Sequence, residues 1–453
     1  MSAMYAWLTL MLAHAVLLAW PALTTTLAVH AVSDRGRRGR STAGSVVGPS
    51  EFWIVVPALN EERVVGNTVA AALRLPGPTG ARCRVLVVDD GSDDATPEVL
   101  AAIDHPRLHV LRRDPPAARL GKGEALNAAY RWIAARAAAE GTAPRHVVLG
   151  IIDGDGRGCR HLLREVGAQM SDPRVAAVQC QVRIRNRNRI LGAVQDLEFG
   201  AMVSAFQALR DRLGTVGLGG NGQFTRLSSL QTLGPAPWSG CLVEDLELGL
   251  RLHLSGADIR YTAAASVTQQ AVVDVRRLTR QRTRWAQGNL QCTRYLRQLV
   301  AHRGKSVLAR AEILYYLMGP WLNALIMVVL LGYAAVASVA IAVHAPLDSL
   351  PTWGHLGAAA ATWLLAVLFP GFIWALVHLT RLRDEGAWRL ALAALAYPVF
   401  LLLGLLATYR AVARQLTGRQ SWTKTDRLAE EPAPPADPSP PADARRPTAV
   451  VAR

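Results

Sequence analysis

The sequence predicts an α/β domain built on a mostly parallel sheet, set between helices apolar enough to cross a lipid bilayer. Short apolar, β-branched runs alternate with helix-like patterns from about 51 to 305, as expected of strands buried on both faces. Long, nearly uncharged segments stand before and after that region, and about 20 such residues span a bilayer. Hydrophobic residues make up 51% of the 453 and charged ones 19%, with mean hydropathy +0.18. Soluble proteins carry about 25% charge. Wholesale disorder and collagen-like or disulfide-stapled scaffolds are excluded, and the length exceeds the roughly 100–200 residues of one compact domain.

In chain order, the apolar run 5–31 is too long for a signal-peptide core of roughly 7–15 residues. It makes 1–34 a transmembrane helix. Arg35, Arg37, Arg38 and Arg40 follow in a basic linker, 35–50, and place that end in the cytoplasm. The cytosolic domain then runs from 51 to 303. Its strands are expected at 52–56, 84–88, 146–152 and 175–182, and its helices near 61–74, 121–139 and 160–170. From 304 to 410 come an interfacial helix, at about 304–318, and three apolar segments at about 320–343, 355–379 and 387–409. A basic, Pro- and Ala-rich tail, 411–453, is expected to be largely disordered. Three crossings after a cytosolic domain leave the C-terminus outside, whereas Arg410, Arg414, Arg419, Lys424 and Arg427 argue for inside. Either one segment is interfacial or re-entrant, or a fourth crossing lies near 307–343.

The net charge is +16 and only three of the 50 basic residues are lysines (Lys122, Lys305, Lys424). A basic membrane protein fits better than a nucleic-acid binder, because no zinc pattern or aromatic RNA-binding motif accompanies the charge. The five cysteines, Cys83, Cys159, Cys180, Cys241 and Cys292, are odd in number and form no CxxC pair. They read as buried, reduced thiols of a cytosolic domain.

Carboxylates at strand ends carry the chemistry. The strand at 84–88 runs into Asp89-Asp90-Gly91-Ser92, and the strand at 146–152 into Asp153-Gly154-Asp155. Both clusters surface at one sheet edge, where α/β folds bind ligands. Two aspartates one residue apart on a glycine turn can hold Mg²⁺ or Mn²⁺ and leave room for diphosphate oxygens. They can equally be turn residues. Glu244 and Asp245 open an amphipathic helix, either as a general base and its neighbour or as acids favoured by the helix dipole. Gln281-Arg282-Thr283-Arg284-Trp285 is either a basic juxtamembrane stretch or a diphosphate clamp with an indole platform for a sugar ring. The arginines of 183–189 read as a loop facing lipid headgroups or product, or as a solvated basic loop.

Taken together, VPALNEE at 56–62, VDDGSDDAT at 88–96, GKGEALN at 121–127, DGD at 153–155, VED at 243–245 and QRTRW at 281–285 resemble the processive, membrane-bound branch of glycosyltransferase family 2. That branch includes cellulose, chitin, hyaluronan and poly-N-acetylglucosamine synthases and the nodulation chitooligosaccharide synthases. The resemblance covers about 52–292. It implies a GT-A (Rossmann-like) fold with flanking transmembrane helices, a nucleotide diphosphate sugar donor such as UDP-glucose or UDP-N-acetylglucosamine, and Mg²⁺ or Mn²⁺. It further implies that Glu61, Asp89, Asp90 and Lys122 line the nucleotide pocket. Asp153 would touch ribose or metal-bound diphosphate, and Asp155 would be the chief metal ligand. Glu244 would lie in the substrate site beside Asp245, which would be the general base. Gln281 and Arg284 would hold the diphosphate, and Trp285 would stack on the acceptor sugar. Val243 stands where the family usually has Thr, Gly154 where Ala is frequent, and the turn 219–224 matches the acceptor loop only loosely.

The expected reaction is inverting transfer of sugar to a growing β-linked polysaccharide or oligosaccharide, at the plasma membrane with the catalytic domain cytoplasmic. Transfer of one sugar to a lipid or polyprenyl phosphate is the alternative. A non-catalytic component of a polysaccharide export system is the alternative of another class. The partners are then the donor, a glycan or lipid-linked acceptor and membrane lipids, with partner subunits unspecified. Trp321, Asn323, Trp353, Trp363 and Trp374 either line a sugar path or form an interfacial belt.

Overall fold

The computed structural model describes residues 22–30, 48–344, 353–418 and 427–430. Of the apolar run at 5–31, only the helical stretch 22–30 falls within them.

The sheet region runs β1 (Glu51–Ala58), α1 (Val65–Leu73), β2 (Arg82–Asp89), α2 (Thr96–Ala101), β3 (Leu108–Arg112), α3 (Lys122–Ala139), β4 (Val147–Ile151), β5 (Arg157–Gly158), α4 (Leu162–Gln169) and β6 (Val175–Ile184). It continues through α5 (Ile190–Asp196), a π-helical stretch Leu197–Val203 and α6 (Ser204–Leu213). Next come β7 (Gln223–Arg226), α7 (Leu227–Gln231), α8 (Glu244–Leu254), β8 (Asp258–Gln269), α9 (Val275–Gln291) and α10 (Leu296–Ala301). The apolar part follows as α11 (Val307–His344), α12 (Trp353–Arg381) and α13 (Ala387–Leu416).

The eight strands form one mixed sheet in the order β3-β2-β1-β4-β7-β6-β8-β5. Its first four strands are parallel, with Val55 opposite Leu86 and Ile54 opposite Gly150. The strand regions anticipated from the β-branched runs are β1, β2, β4 and β6. The sheet is less parallel than the sequence suggests. The short β7 lies antiparallel between β4 and β6, and β5 lies antiparallel to β8. β7 reads Gln-Phe-Thr-Arg, too short and polar to signal a strand, yet it is buried throughout. Gly150 makes the pairing possible, because a Cβ there would lie 2.1 Å from the Phe224 ring.

β1 has no polar face because both of its faces are covered. Phe52, Ile54 and Val56 pack with Val65, Val69, Leu162 and Leu163 of α1 and α4. Trp53 and Val55 face the other way, against Leu126 and Ile133 of α3 and Leu248 of α8. Each fully buried side chain of this kind contributes about 1.5–3 kcal/mol. The sheet edge is thereby held rigidly where its strands end.

Among the described residues, two stretches are long and apolar enough to cross a membrane, Val307–Val329 and Ala387–Leu416, with Val367–Arg381 a shorter apolar helix. The separate interfacial helix expected at 304–318 is not formed. α11 starts at Val307 and continues unbroken into the apolar segment, Pro320 included. α13 packs Leu390, Ala393, Tyr397 and Phe400 against Val194, Leu197 and Ala201 of the sheet region.

Of the arginines of 183–189, Arg189 is exposed, whereas Arg183, Arg185 and Arg187 are held in ion pairs rather than solvated. Arg183 is buried on Asp196 (2.7 Å) and Asp384 (3.0 Å), and Arg187 reaches Asp196 and Asp384. The basic run answers carboxylates that arrive from distant parts of the chain. Of the tail at 411–453, residues 411–418 and 427–430 are described and the rest lies outside the described residues. α13 extends to Leu416, and Arg427–Glu430 lie against the sheet region. All five cysteines are free thiols, with Cys180 and Cys292 buried and the other three half-buried.

Candidate active site

Parallel strands deliver their carboxyl ends to a single edge. β2 ends at Asp89 and β4 at Ile151, so Asp90 and Asp153 emerge at the same edge on either side of β1. Helices point their starts at the same place. α3 begins with Lys122 immediately after Gly121, and α8 begins with Glu244 and Asp245. α9 crosses in front with Gln281, Arg284 and Trp285. These side chains line one cavity of about 690 Å³, together with Glu61.

Lys122 is the hub. Its Nζ lies 2.6 Å from Asp153 Oδ1 and 3.5 Å from Glu244 Oε1. Burial works against its charge, but Asp153, Glu244 and Asp245 raise the ammonium above the ordinary lysine range. In return, and again against burial, Lys122 holds Asp153 below the usual carboxylate range. Burial pushes Glu244 up to about 7, with Lys122 opposing. Asp245 is likewise raised by burial against the pull of Lys122. Its Oδ1 accepts the Leu246 N–H at 2.8 Å. Gly220 closes this corner, since a Cβ there would lie 2.7 Å from Lys122 Nζ and 3.1 Å from Asp245 Oδ2.

The two aspartates after β2 behave differently from each other. Asp89 is fully buried, pairs with Arg112 and accepts the Ser92 N–H at 2.9 Å. It does not line the cavity; it shapes the turn that presents Asp90. Asp90 lines the cavity and pairs with Arg113 at 2.5 Å. Burial nevertheless pushes its carboxyl upward.

Asp155 sits behind Asp153, buried. Its Oδ2 accepts the Gln270 N–H at 2.8 Å, and its Oδ1 faces Arg427 Nη2 at 3.1 Å. Arg427 itself lines the cavity. Among the described residues no group of three or more His, Cys, Asp or Glu side chains forms a ready-made metal cage. That fits Mg²⁺ or Mn²⁺ held by one or two carboxylates and completed by substrate phosphates. The Arg427 guanidinium stands beside the buried Asp155 Oδ1, so positive charge is accommodated at that oxygen.

Trp285 meets Phe199 edge to face at 6.3 Å, and Arg282 lies 4.7 Å over its ring. Arg282 is itself fixed on Glu198 at 2.5 Å. Sequence reasoning missed Glu198, Phe199, Met202 and Val203, which the π-helical stretch turns into the cavity. It missed Tyr315, Tyr316, Gly404 and Thr408, which carry the lining onto α11 and α13. A π-helix has no distinct sequence pattern, and these aromatic and small residues look like ordinary helix packing. Of the tryptophans and asparagine considered for a sugar path, Asn323 lines the cavity. Trp321 donates to Asn289 Oδ1 at 3.0 Å, and Trp374 is buried in the helix packing. The side chains of Trp353 and Trp363 lie outside the described residues.

Comparison with known proteins agrees with this geometry. Residues 49–288 match the family described as glycosyltransferase-like family 2. A β-monoglucosyldiacylglycerol synthase of Nostoc sp. is 32% identical over 279 residues, covering 60% of this chain and 56% of that one. A poly-β-1,6-N-acetyl-D-glucosamine synthase of Staphylococcus epidermidis is 27% identical over 240 residues, covering 51% and 52%. The chain thus spans about half the length of the curated relatives it matches. A mannosyltransferase of Pyrobaculum calidifontis, solved with GDP-mannose and Mn²⁺, superposes with TM-score 0.52 at 20% identity, covering 85% of this chain and 98% of that one. The sheet, its edge and the matched span agree: this chain belongs to glycosyltransferase-like family 2 and has a GT-A-like fold.

Proposed function

We propose that the protein transfers one hexose from a nucleoside diphosphate sugar, with inversion, to a hydroxyl of a lipid acceptor at the membrane. The observation that carries this is the extent of the cavity. It runs from Lys122 and Asp153 at the sheet edge to Pro320 and Asn323 of α11 and Gly404 and Thr408 of α13. Pro320 and Asn323 line it and are also exposed on an otherwise apolar helix. The cavity therefore joins a charged donor end to helices apolar enough to lie in a bilayer. A lipid bearing a hydroxyl has that same polarity. The relatives at 32–33% identity, named for a glucosyl diacylglycerol product, support the same choice.

In this reading Asp90 and Glu61 face the nucleoside, and Gln281, Arg284 and Lys122 hold the diphosphate. A divalent ion held by Asp155, with Asp153, neutralises charge on the leaving diphosphate when bound. The acceptor oxygen bonds to the anomeric carbon as the carbon–oxygen bond to diphosphate breaks. Asp245 takes the proton from that hydroxyl. Its raised affinity for protons makes it a stronger base than an ordinary aspartate, and attack opposite the leaving group gives a β-linked product from an α-linked donor. The membrane is the cell membrane in this reading, with the sheet domain on the cytoplasmic side.

Polymer synthesis is the second reading, and Trp285 in the cavity wall favours it, since an indole face suits a sugar ring. One experiment separates the two. Membranes containing the protein receive UDP-glucose, UDP-N-acetylglucosamine or UDP-galactose with Mg²⁺ or Mn²⁺ and diacylglycerol, with Asp245→Asn as control. UDP release with a monoglycosylated lipid is expected. A ladder of longer glycans would overturn the single-transfer reading, and an inactive donor panel would overturn both.

A further inference from the structure

We propose that α13 does not cross the membrane but lies along the sheet domain, with its outer face held in one lipid leaflet. This rests on the reading of the chain as a membrane protein with its sheet domain on the cytoplasmic side. α13 has 30 residues, about 45 Å at 1.5 Å per residue. Set across a bilayer, such a helix would carry one end beyond a hydrocarbon core roughly 30 Å thick. Here both ends stay on the sheet domain. Just before its start, Asp384 receives Arg183 at 3.0 Å and Glu385 faces Arg187 at 3.9 Å. At its middle, the Tyr397 hydroxyl meets Met202 Sδ at 3.0 Å, and Arg282 lies 5.2 Å over the Phe400 ring. At its end, Arg414 Nε donates to Gln287 Oε1 at 3.1 Å. Arg282 and Gln287 belong to α9, whose five arginines keep it out of the hydrocarbon.

The side of α13 turned away from the sheet domain is apolar from end to end. Trp388, Leu392, Leu395, Val399, Leu402 and Leu406 are exposed, and their steps of four and three residues set them on one face. Leu390, Ala393, Tyr397 and Ala407 are buried on the other side, and Gly404 and Thr408 line the cavity. One helix then separates the leaflet from the cavity. Trp388 near the start and Tyr409 near the end are exposed, with Arg389 and Arg410 exposed beside them. Rings and arginines at both ends of an apolar stripe suit the headgroup level, and a helix so placed buries its apolar face about 5–10 Å deep. The neighbouring helices fix the number of crossings. α11 leaves from the sheet domain, where Lys305 donates to the Gly214 carbonyl at 2.6 Å and Glu312 pairs with Arg210 at 2.6 Å. α12 returns to it, with His378 Nε2 2.9 Å from Asp196. One passage out and one back leave all that follows α12 on the side of the sheet domain. That is the side demanded by Arg410, Arg414, Arg419, Lys424 and Arg427.

The test uses the full chain in lipid nanodiscs. Nitroxide labels are placed on Trp388→Cys, Val399→Cys and Leu406→Cys, and on Ala335→Cys of α11 as the reference for a crossing helix. The labelled parent supplies the background of the native thiols. Collision rates with oxygen and with a water-soluble nickel chelate report the depth of each label. The three α13 sites are expected within about 5 Å of one another and shallow in the leaflet, with Ala335 deeper. A crossing helix would set Val399 about 16 Å further along the membrane normal than Trp388, and that result would overturn the proposal. Nickel contact at the α13 sites, with Ala335 deep, would put the stripe in water and overturn it too. Spin–spin broadening between copies would give the stripe to a second chain, with the same consequence. Nickel contact at Ala335 as well would bring down the membrane reading itself. A second measurement needs no substitution. In sealed membrane vesicles, a tag at the C-terminus should be cut by protease from the same side as the sheet domain. A tag that stays protected while the sheet domain is cut would overturn the proposal. Neither measurement uses donor or acceptor, so both stand apart from the transfer reaction.

Discussion

Two strand ends deliver aspartates to the same edge and use opposite kinds of counter-charge. After β2, Asp89 and Asp90 are matched by Arg112 and Arg113, which sit on or beside the adjoining β3 and move with the sheet. After β4, Asp153 and Asp155 are matched by Lys122 and Arg427, one at a helix start and the other on a tail segment. In the first pair Asp89 is held away from the cavity while Asp90 lines it. In the second the counter-charges come from elements outside the sheet. A carboxylate at this edge is understood less from its own burial than from the element that supplies its counter-charge.

Substitutions at the two ends should therefore separate. The largest effect expected is on turnover. Asp155→Asn should lower metal-dependent UDP release by about 10²–10³ while leaving the melting temperature near that of the parent. Asp89→Asn should do the reverse. It breaks an ion pair to a half-exposed arginine and a buried turn contact, costs about 1–3 kcal/mol of stability, and leaves transfer per folded molecule largely intact. Turnover normalised to folded protein, set beside thermal melts, checks both, and equal behaviour of the two variants would erase the distinction. Asp245→Asn should reduce transfer by at least about 10²-fold while UDP binding by calorimetry survives. Near-parental turnover would remove Asp245 from the base role.

A smaller effect concerns pH. Glu244 sits beside Lys122 and is raised to about 7. The folded state then binds more protons than the unfolded chain between the ordinary glutamate range and about 7. Stability should fall as pH rises through that window and level off above it, by about 3 kcal/mol at most. Glu244→Gln should flatten the slope of melting temperature against pH between 5 and 7.5. Smallest of all, Trp285→Ala should raise the acceptor concentration needed for half-maximal rate by about tenfold with donor KM unchanged. An unchanged acceptor dependence would remove the stacking role.

Much of this was legible in the sequence, for a physical reason. β1, β2, β4 and β6 are buried on both faces and so read as continuous apolar runs, and the acidic clusters follow directly from their ends. β7 and β8 were not legible, since β7 is four residues long and β8 mixes Ala, Thr, Ser and Gln with its apolar positions. The role of Asp89 could not be separated from that of Asp90, because both find an arginine beside β3 and only the fold decides which of them lines the cavity. Arg427 and Glu430 were invisible for another reason. Glu430 meets partners 245 and 273 residues away, and no local pattern encodes so distant a pairing. The family motifs located the donor site. They were silent on the lining from α11 and α13, which lies beyond the matched span.

The cluster joining Arg183, Asp196, His378 and Asp384 bears on how the enzyme can be divided. His378 Nε2 lies 2.9 Å from Asp196, and Arg183 bridges Asp196 to Asp384. Beside it, Val194, Leu197 and Ala201 are covered by Trp374, Ala393, Ala394 and Tyr397. A chain cut after α10 would keep the whole matched region and lose both Asp384, one of the two acidic partners of Arg183, and the cover of that apolar patch. Such a fragment should aggregate or demand detergent, whereas one that retains α12 and α13 should not. The border between catalytic and apolar parts is thus a shared core rather than a hinge, and secretion or display of the sheet domain alone would require redesign of α5 and the π-helical stretch.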